Sequence, residues 1–468
     1  MAKIVVTGGG VVGLATAMLL AGDGHDVTVL ERDPATPPEP IEAWDEWERR
    51  GVNQFRMPHF FLPRFRIVAE AELPLMVKAM ETAGAARLNP VEGMPDAMNG
   101  GRRPGDDRFE ALTGRRPAVE AAIARQAAET PGVTIRRGTA LAGLVVADDR
   151  AAVPHAVGVR TEGGEDLRAD LVVDATGRRS PLPQWLETAG ARRPEEELED
   201  SGFVYYGRHF RSADGSLPAV MGPYLQAYGS VSVLTLPADN GTWGVALVAS
   251  ARDSALRAVR HTDRWEAVVR SLPLAAHWLD GEPLENEVVV MAKIEDRHRS
   301  FVVDGTPVAT GVLPVGDSWA CTNPSVGRGA SIGLIHAVAL RDLLRSAPSG
   351  ALDVASAWHD VTEETVEPLY RATLTFDRNR LAEIEALGRG VEFDGGPEWE
   401  ISQALQHAAS LDPDCVRAFA DVAGLTAQPA EVLADEAVFA KVIELGAGWR
   451  DAPPFGPDRA QLLALVGA

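Results

Sequence analysis

Residues 3–33, "KIVVTGGGVVGLATAMLLAGDGHDVTVLERD", decide the fold. Short β-branched runs at 3–7 and 27–30 flank a small, apolar stretch at 11–23. That order reads as strand, glycine turn, helix and second strand. Gly8, Gly10 and Gly13 fall in the spacing GxGxxG, and each glycine has a separate task. The first allows a tight turn, the second lets the backbone approach a pyrophosphate, and the third lets the helix lie close to the strand. The helix start at Val11 and Val12 offers free N–H groups and a positive dipole end to the phosphates. Glu31 ends the second strand, 18 residues after Gly13. A carboxylate there can hold both ribose hydroxyls and would repel a 2′-phosphate, and Arg32 beside it is assigned to the same site. A dinucleotide is expected; these residues leave open whether it is NAD or FAD.

The 468 residues are 46% hydrophobic, enough for two or three packed domains. A net charge of −22 with no Lys/Arg run argues against nucleic-acid binding. Cys321 and Cys415 belong to no CxxC or Cys/His cluster, so no metal site is expected and a reducing cytoplasm fits. No charged and apolar leader precedes the first strand, and no apolar run approaches the ~20 residues of a membrane span. The expectation is a cytoplasmic protein without a transmembrane segment.

"GRRPAVEAAIARQAAETPGVTIRRG" (114–138) reads as helix, Pro-Gly turn and strand, and "LRADLVVDATGRRS" (167–180) as a buried strand closed by a glycine turn. The middle of the chain changes character. "SGFVYYGRHFRS" (201–212) is strand-like, and "GSVSVLTLPADNGTWGVALVAS" (229–250) holds two apolar runs around Asp239-Asn240-Gly241, a hairpin signal. Residues 306–318 return to a buried strand, and helices dominate from 328 onward. The expected organisation is a discontinuous nucleotide-binding domain (1–184 and 301–350), an inserted substrate-binding β-sheet domain (185–300) and a C-terminal helical region (351–468).

The choice of nucleotide rests on "GVLPVGDSWACTNPSVGRGASIGLIHAVALRDLL" (311–344). A buried strand ends at Gly316-Asp317, a Pro/Gly loop follows, and a helix starts near Arg328. This resembles the GD motif and following helix of FAD-dependent monooxygenases of the para-hydroxybenzoate hydroxylase type. The resemblance implies an α/β fold, a Rossmann-like FAD-binding domain with an inserted antiparallel sheet. It also implies that Asp317 hydrogen-bonds the ribityl chain and that Pro324 lies beside the reactive edge of the isoalloxazine. The backbone around Gly327, Arg328 and Gly329 then faces N1 and O2. Reduced flavin is anionic there, and a helix N-terminus stabilises that charge without a charged side chain. "GRRPAVEAAI" (114–123) resembles the RxxLE helix of these enzymes, with Arg116 and Glu120 in register and Val119 in place of Leu; the arginine then reaches the FAD. "ADLVVDATGRRSPLPQWL" (169–186) resembles the strand and turn beneath the flavin, but Thr176 precedes Gly177 and the acid is Asp174. Asp174 and Gly177 are assigned to the cofactor. "GVNQFRMPHFF" (51–61) resembles the GVPQ-x-R-x-x-H segment of actinobacterial flavoprotein oxygenases, which include polyether epoxidases. Gln54, Arg56 and His59 match, and Asn53 replaces Pro.

The expected activity is insertion of one oxygen atom from O2 into an apolar or aromatic small molecule, by hydroxylation or epoxidation, in secondary metabolism. Electrons come from NAD(P)H, directly or through a separate reductase, because no second nucleotide motif is present. The catalytic residues are Pro324, His59 and His209, the last on a strand whose alternation puts Tyr205, Gly207, His209 and Arg211 on one face. Cys321 reads as a packing residue. The same frame suits an FAD-dependent reductase or dehydrogenase on an isoprenoid-like or polyketide substrate, or a non-catalytic flavin-binding protein. GxSxG and HExxH are absent, and Trp243 is followed by Gly-Val-Ala rather than by the halogenase signature WxWxIP.

Overall fold

The Lys3–Thr7 strand is the middle of a five-stranded parallel sheet in the order Val312–Pro314, Leu171–Asp174, Lys3–Thr7, Asp26–Glu31, Val133–Arg137. The computed structural model describes every residue except 149–151, 347–348, 453–454 and 468. The sheet is covered on both faces, which is why its strands read as continuous apolar runs. Ile4, Val6 and Val173 face the helices Val11–Gly22 and Gly329–Arg345. Val5, Leu30 and Val172 face Trp185 and Leu186 of the short helix Leu182–Thr188. Four of these strands end on one side of the molecule, at Thr7, Glu31, Asp174 and Pro314, and ligands of open α/β sheets bind outside such carboxyl ends.

A second, antiparallel sheet runs in the order Leu225–Tyr228, Val231–Pro237, Thr242–Ser250, Phe203–Arg211, Glu282–Pro283, with Val289–Met291 also paired to Phe203–Arg211. Asn240 and Gly241 both take positive φ (52° and 70°), as the tight two-residue turn between its central strands requires. Period-two alternation divides the sheet. Tyr206, Phe210, Val233, Val245 and Leu247 bury one face against Trp265 of the helix Thr262–Ser271. Tyr205, Leu234, Ala246 and Val248 point the other way, toward the carboxyl ends of the parallel sheet.

The two sheets are joined by a buried ion pair. Arg115, at the start of the helix Arg116–Glu129, donates from Nη2 to Asp239 Oδ2 at 2.7 Å and from its backbone N to Asp239 Oδ1 at 2.6 Å. Asp239 belongs to the hairpin turn and is fully buried.

The C-terminal residues are helical. The 23-residue helix Glu367–Arg389 runs along the junction of the sheets, and four helices between Gly396 and Gly446 share a small core around Leu405, Cys415 and Val442. This group is fastened to the loop at 99–109 by two bidentate pairs. Arg417 donates to Asp106 at 2.9 and 2.7 Å, and Arg108 to Asp421 at 2.9 Å twice. No described helix is long and apolar enough to cross a membrane. Cys321 and Cys415 are free and buried.

Candidate active site

A continuous cavity of about 1950 Å³ opens where the carboxyl ends of the parallel strands meet the inner face of the antiparallel sheet. Pockets for a single small ligand measure roughly 300–1,000 Å³, so this space has room for two molecules. Gly8–Gly13, Glu31 and Arg32 line one end. Ala175–Arg179, Val315–Asp317 and Pro324–Gly329 line the middle. The far end is walled by Tyr205, Leu234, Val248 and Met291 and roofed by the C-terminal helices through Phe376, Ile401, Leu405 and Phe419.

The glycine turn separates packing from binding. A Cβ on Gly8 would lie 2.4 Å from the Ala175 carbonyl oxygen, and one on Gly13 would lie 2.1 Å from that of Gly8. Those two positions serve the contact between helix and strands. A Cβ on Gly10 meets nothing within 4 Å, so its backbone is open to the cavity, as phosphate binding requires. Glu31 is held by the Gly9 N–H at 3.0 Å, the Asp33 N–H at 2.9 Å and Arg49 Nη2 at 2.6 Å. Arg49 also reaches Glu120 at 2.6 Å, and Glu120 accepts from Arg116 Nε. A chain of alternating charge, Glu31–Arg49–Glu120–Arg116, thus links three cavity-lining residues through the buried Glu120. Arg116 Nη1 is buried with no partner among the described residues.

Asp317 stands just beyond the strand Val312–Pro314. Among the described residues none hydrogen-bonds to its carboxylate, which lies on the cavity wall. Desolvation raises its pKa, opposed by the charges of Arg116 and Arg178. An unpartnered carboxylate seeks donors, and the hydroxyls of a ribityl chain are donors of that kind. Beyond it, the 17-residue helix Gly329–Arg345 begins without a side-chain cap, and a Cβ on Gly329 meets nothing within 4 Å. Its first N–H groups are free for an anion. The unsatisfied Arg116 donor, the Asp317 acceptor, the open Gly10 backbone and this helix end together fit FAD from its pyrophosphate to its ring.

Residues 3–37 match the family model described as FAD dependent oxidoreductase. Protein Rv3254 of Mycobacterium tuberculosis is 27% identical over 392 residues, 78% of each chain. Among solved structures, PqsL of Pseudomonas aeruginosa, described as a probable FAD-dependent monooxygenase, superposes with a TM-score of 0.58 at 16% identity over 82% of this chain and 96% of its own. A further PqsL structure is of its complex with 2-aminobenzoylacetate. The fold is that of the FAD-dependent monooxygenases. It is also similar to 2-methyl-3-hydroxypyridine-5-carboxylic acid oxygenase, with a TM-score of 0.58 at 16% identity over 89% of this chain and 98% of that one. The Diels-Alderase PyrE3 superposes with a TM-score of 0.53 at 20% identity over 95% of this chain and 80% of its own.

Within this monooxygenase fold, three residues assigned from sequence lie away from the cavity. Arg56 turns outward: its Nη1 donates to the Trp44 carbonyl, its Nη2 to that of Trp47 at 3.1 Å, and its guanidinium covers the Trp44 ring at 4.4 Å. Asp174 is 1% exposed and spends its oxygens inside the protein, on Thr7 Oγ1 (3.1 Å), Thr176 N (3.0 Å), Thr176 Oγ1 (2.6 Å) and Ser180 Oγ. It shapes the turn that brings Thr176 and Gly177 to the wall. His209 shares the inward face with Tyr205, as its strand alternation requires, but lies farther along, past the end of the cavity. There its Nδ1 is 3.0 Å from Glu285 Oε1 and its ring packs on Trp44 at 4.7 Å. His59, Gln54 and Pro324 do line the cavity. Burial and the Arg116 charge push His59 down to about 3, so its ring is neutral.

Two residues that carried no sequence signal shape the site. Arg49 sits beside Arg50 in "EWERRG", and nothing in that string selects one over the other. His336 lies inside the helix Gly329–Arg345, stacked on Trp358 at 4.4 Å. Its Nδ1 accepts the Gly316 N–H at 3.1 Å, and its Nε2 is 3.0 Å from Thr362 Oγ1. Accepting at Nδ1 makes Nε2 the protonated nitrogen, and burial lowers the pKa to about 3. An unfolded histidine titrates near 6.5. The unfolded chain therefore binds the proton first, and the stability tied to neutral His336 is fully present above about pH 6.5 and lost as pH falls from there toward 3. His336→Gln is expected to cost about 1–3 kcal/mol at pH 7, through the Gly316 N–H, and to flatten the decline of stability between pH 6.5 and 4. Denaturant melts of the flavin-free protein across that range check both; an unchanged slope contradicts the buried neutral ring.

Proposed function

We propose that this chain is an FAD-dependent monooxygenase that inserts one oxygen atom from O2 into an apolar or aromatic small molecule of secondary metabolism. The observation that carries this is the single cavity running from the open Gly10 backbone past Asp317 to an apolar wall. FAD, when bound, supplies electron transfer and oxygen activation. The protein's residues bind, orient and exclude water. The Gly10 backbone and the helix start at Val11 and Val12 take the pyrophosphate, Glu31 the adenosine ribose, Asp317 the ribityl hydroxyls and the Gly329 helix end the anionic side of the ring. Pro324 borders the space left for substrate, which Tyr205, Leu234, Val248 and Met291 keep dry. His59, neutral at physiological pH, offers a hydrogen bond rather than a charge. The complex of PqsL with 2-aminobenzoylacetate supports a small aromatic substrate by analogy of fold.

Electrons come from NAD(P)H, and the absence of a second glycine motif favours delivery by a separate reductase. The likeness to PyrE3, a Diels-Alderase, favours a second reading in which the same frame binds FAD without using O2. Oxygen uptake separates the two. The holoprotein, reduced by a flavin reductase and NADH, is expected to consume O2 faster when a turned-over substrate is added, and to form no product under nitrogen. Product formation that continues without O2 would overturn the oxygenase reading.

A further inference from the structure

His298, Glu363 and Glu367, none of which lines the cavity, come together from three different elements. His298 lies on the strand Glu295–Ser300, Glu363 in the last turn of the helix Ala351–Thr365 and Glu367 at the start of the helix Glu367–Arg389. One ligand atom from each lies within 4.8 Å of the others. The His298 side chain is 7% exposed and is fixed by Tyr370, stacked at 5.6 Å, and Trp319, edge-on at 5.3 Å.

Its Nε2 is buried and has no hydrogen-bond partner among the described residues, and neither has Glu367 Oε2. Arg371 does not account for them. Its Nε donates to the other oxygen of Glu367 at 3.0 Å, and its Nη groups go to Glu197 at 2.7 Å. Three acids, Glu197, Glu363 and Glu367, share the Arg371 guanidinium, with Arg378 acting on Glu197 alone, so the described groups keep a negative excess. An unpartnered imidazole nitrogen and an unpartnered carboxylate oxygen beside a second carboxylate make a donor set for a cation.

We propose that His298, Glu363 and Glu367 bind one divalent transition-metal ion of the zinc type. Imidazole favours Zn²⁺ over the all-oxygen ions Mg²⁺ and Ca²⁺. Zinc bonds of about 2.0–2.2 Å require the ligand atoms to close in. The Glu363 side chain, 43% exposed, is free to move, and its open side leaves the fourth position to water. The ion would pin the corner between the two helices to the strand beside Trp319, two residues after Asp317. Its role is structural, and it is independent of the FAD reading.

The test uses untagged, EDTA-treated, FAD-containing protein titrated with ZnCl2 by calorimetry, beside His298→Ala and Glu363→Ala. Loss of groups that only orient a metal ligand costs about 10–100-fold in affinity, so loss of a ligand should cost at least that. One saturable zinc per chain, a rise in melting temperature with zinc and a loss of at least tenfold in each variant support the site. Glu363→Ala, on an exposed helix end, decides alone if His298→Ala does not fold. Absence of a single saturable site, or affinity unchanged in Glu363→Ala, would overturn the proposal; the orphan atoms would then be bridged by water or a shared proton.

Discussion

Asp239→Ala is expected to lower the free energy of unfolding by about 3–5 kcal/mol, the cost of leaving one partner of a buried ion pair uncompensated. Asp239 is fully buried, and its two oxygens take both the side chain and the backbone N–H of Arg115. Removing the carboxylate leaves a guanidinium in the interior with, among the described residues, the Trp44 ring over it at 5.2 Å. It also leaves the Arg115 N–H at the helix start unsatisfied, and frees a turn whose Asn240 sits at positive φ. Urea melts of the flavin-free protein measure the change. The double replacement Arg115→Met with Asp239→Leu should recover much of the loss, because the penalty belongs to the orphaned charge rather than to the absence of a bond. A loss below about 1 kcal/mol would mean that the two sheets are held together elsewhere.

Asp317→Ala is expected to weaken FAD binding about 10- to 100-fold, with little loss of fold stability. A charged acceptor bonded to a hydroxyl contributes about 1.5–3 kcal/mol, and each 1.4 kcal/mol is tenfold in affinity. The structure separates this from a capping role: no described residue uses the carboxylate, whereas the Gly316 turn is held by His336 and by the Trp319 N–H donating to the Gly316 carbonyl at 2.9 Å. Burial holds the pKa of Asp317 above the ordinary carboxylate value, so removing it takes away a desolvated acid rather than a structural bond. Flavin-free variant and parent, titrated with FAD and melted in urea side by side, give both numbers. A loss of stability without loss of FAD affinity would return Asp317 to a structural role.

The parallel sheet was legible because local rules and tertiary demands coincide there. Three glycines at fixed spacing, each needed for a different contact, leave few alternatives, and Gly8 and Gly13 do meet their neighbours at 2.4 and 2.1 Å when given a Cβ. The hairpin at 239–241 announced itself for the same reason. What the sequence could not convey is which side chains of a correct face reach the cavity. His209 and Tyr205 share a face, yet the sheet runs on beyond the cavity, so the first packs on Trp44 and the second lines the wall. Asp174 has the residue type and position of a ligand group, but the neighbouring hydroxyls of Thr7, Thr176 and Ser180 claim it. Arg49 and His336 act through partners 71 and 20 residues away in the chain, and no local pattern encodes such distances. The helices after Gly396 carry no recognisable motif, yet they roof the cavity with Ile401, Leu405 and Phe419. Their helical periodicity specifies their own core, not the ligand they cover.

The cavity between Gly10 and Gly329 is proposed as the FAD site. Titration of flavin-free protein with FAD and, separately, with FMN tests it most directly, followed by quenching of flavin fluorescence. One FAD per chain and a much weaker FMN complex are expected, because FMN lacks the adenosine half proposed to lie on Gly10 and Glu31. Failure to bind FAD, or FMN binding as tight as FAD, would contradict it.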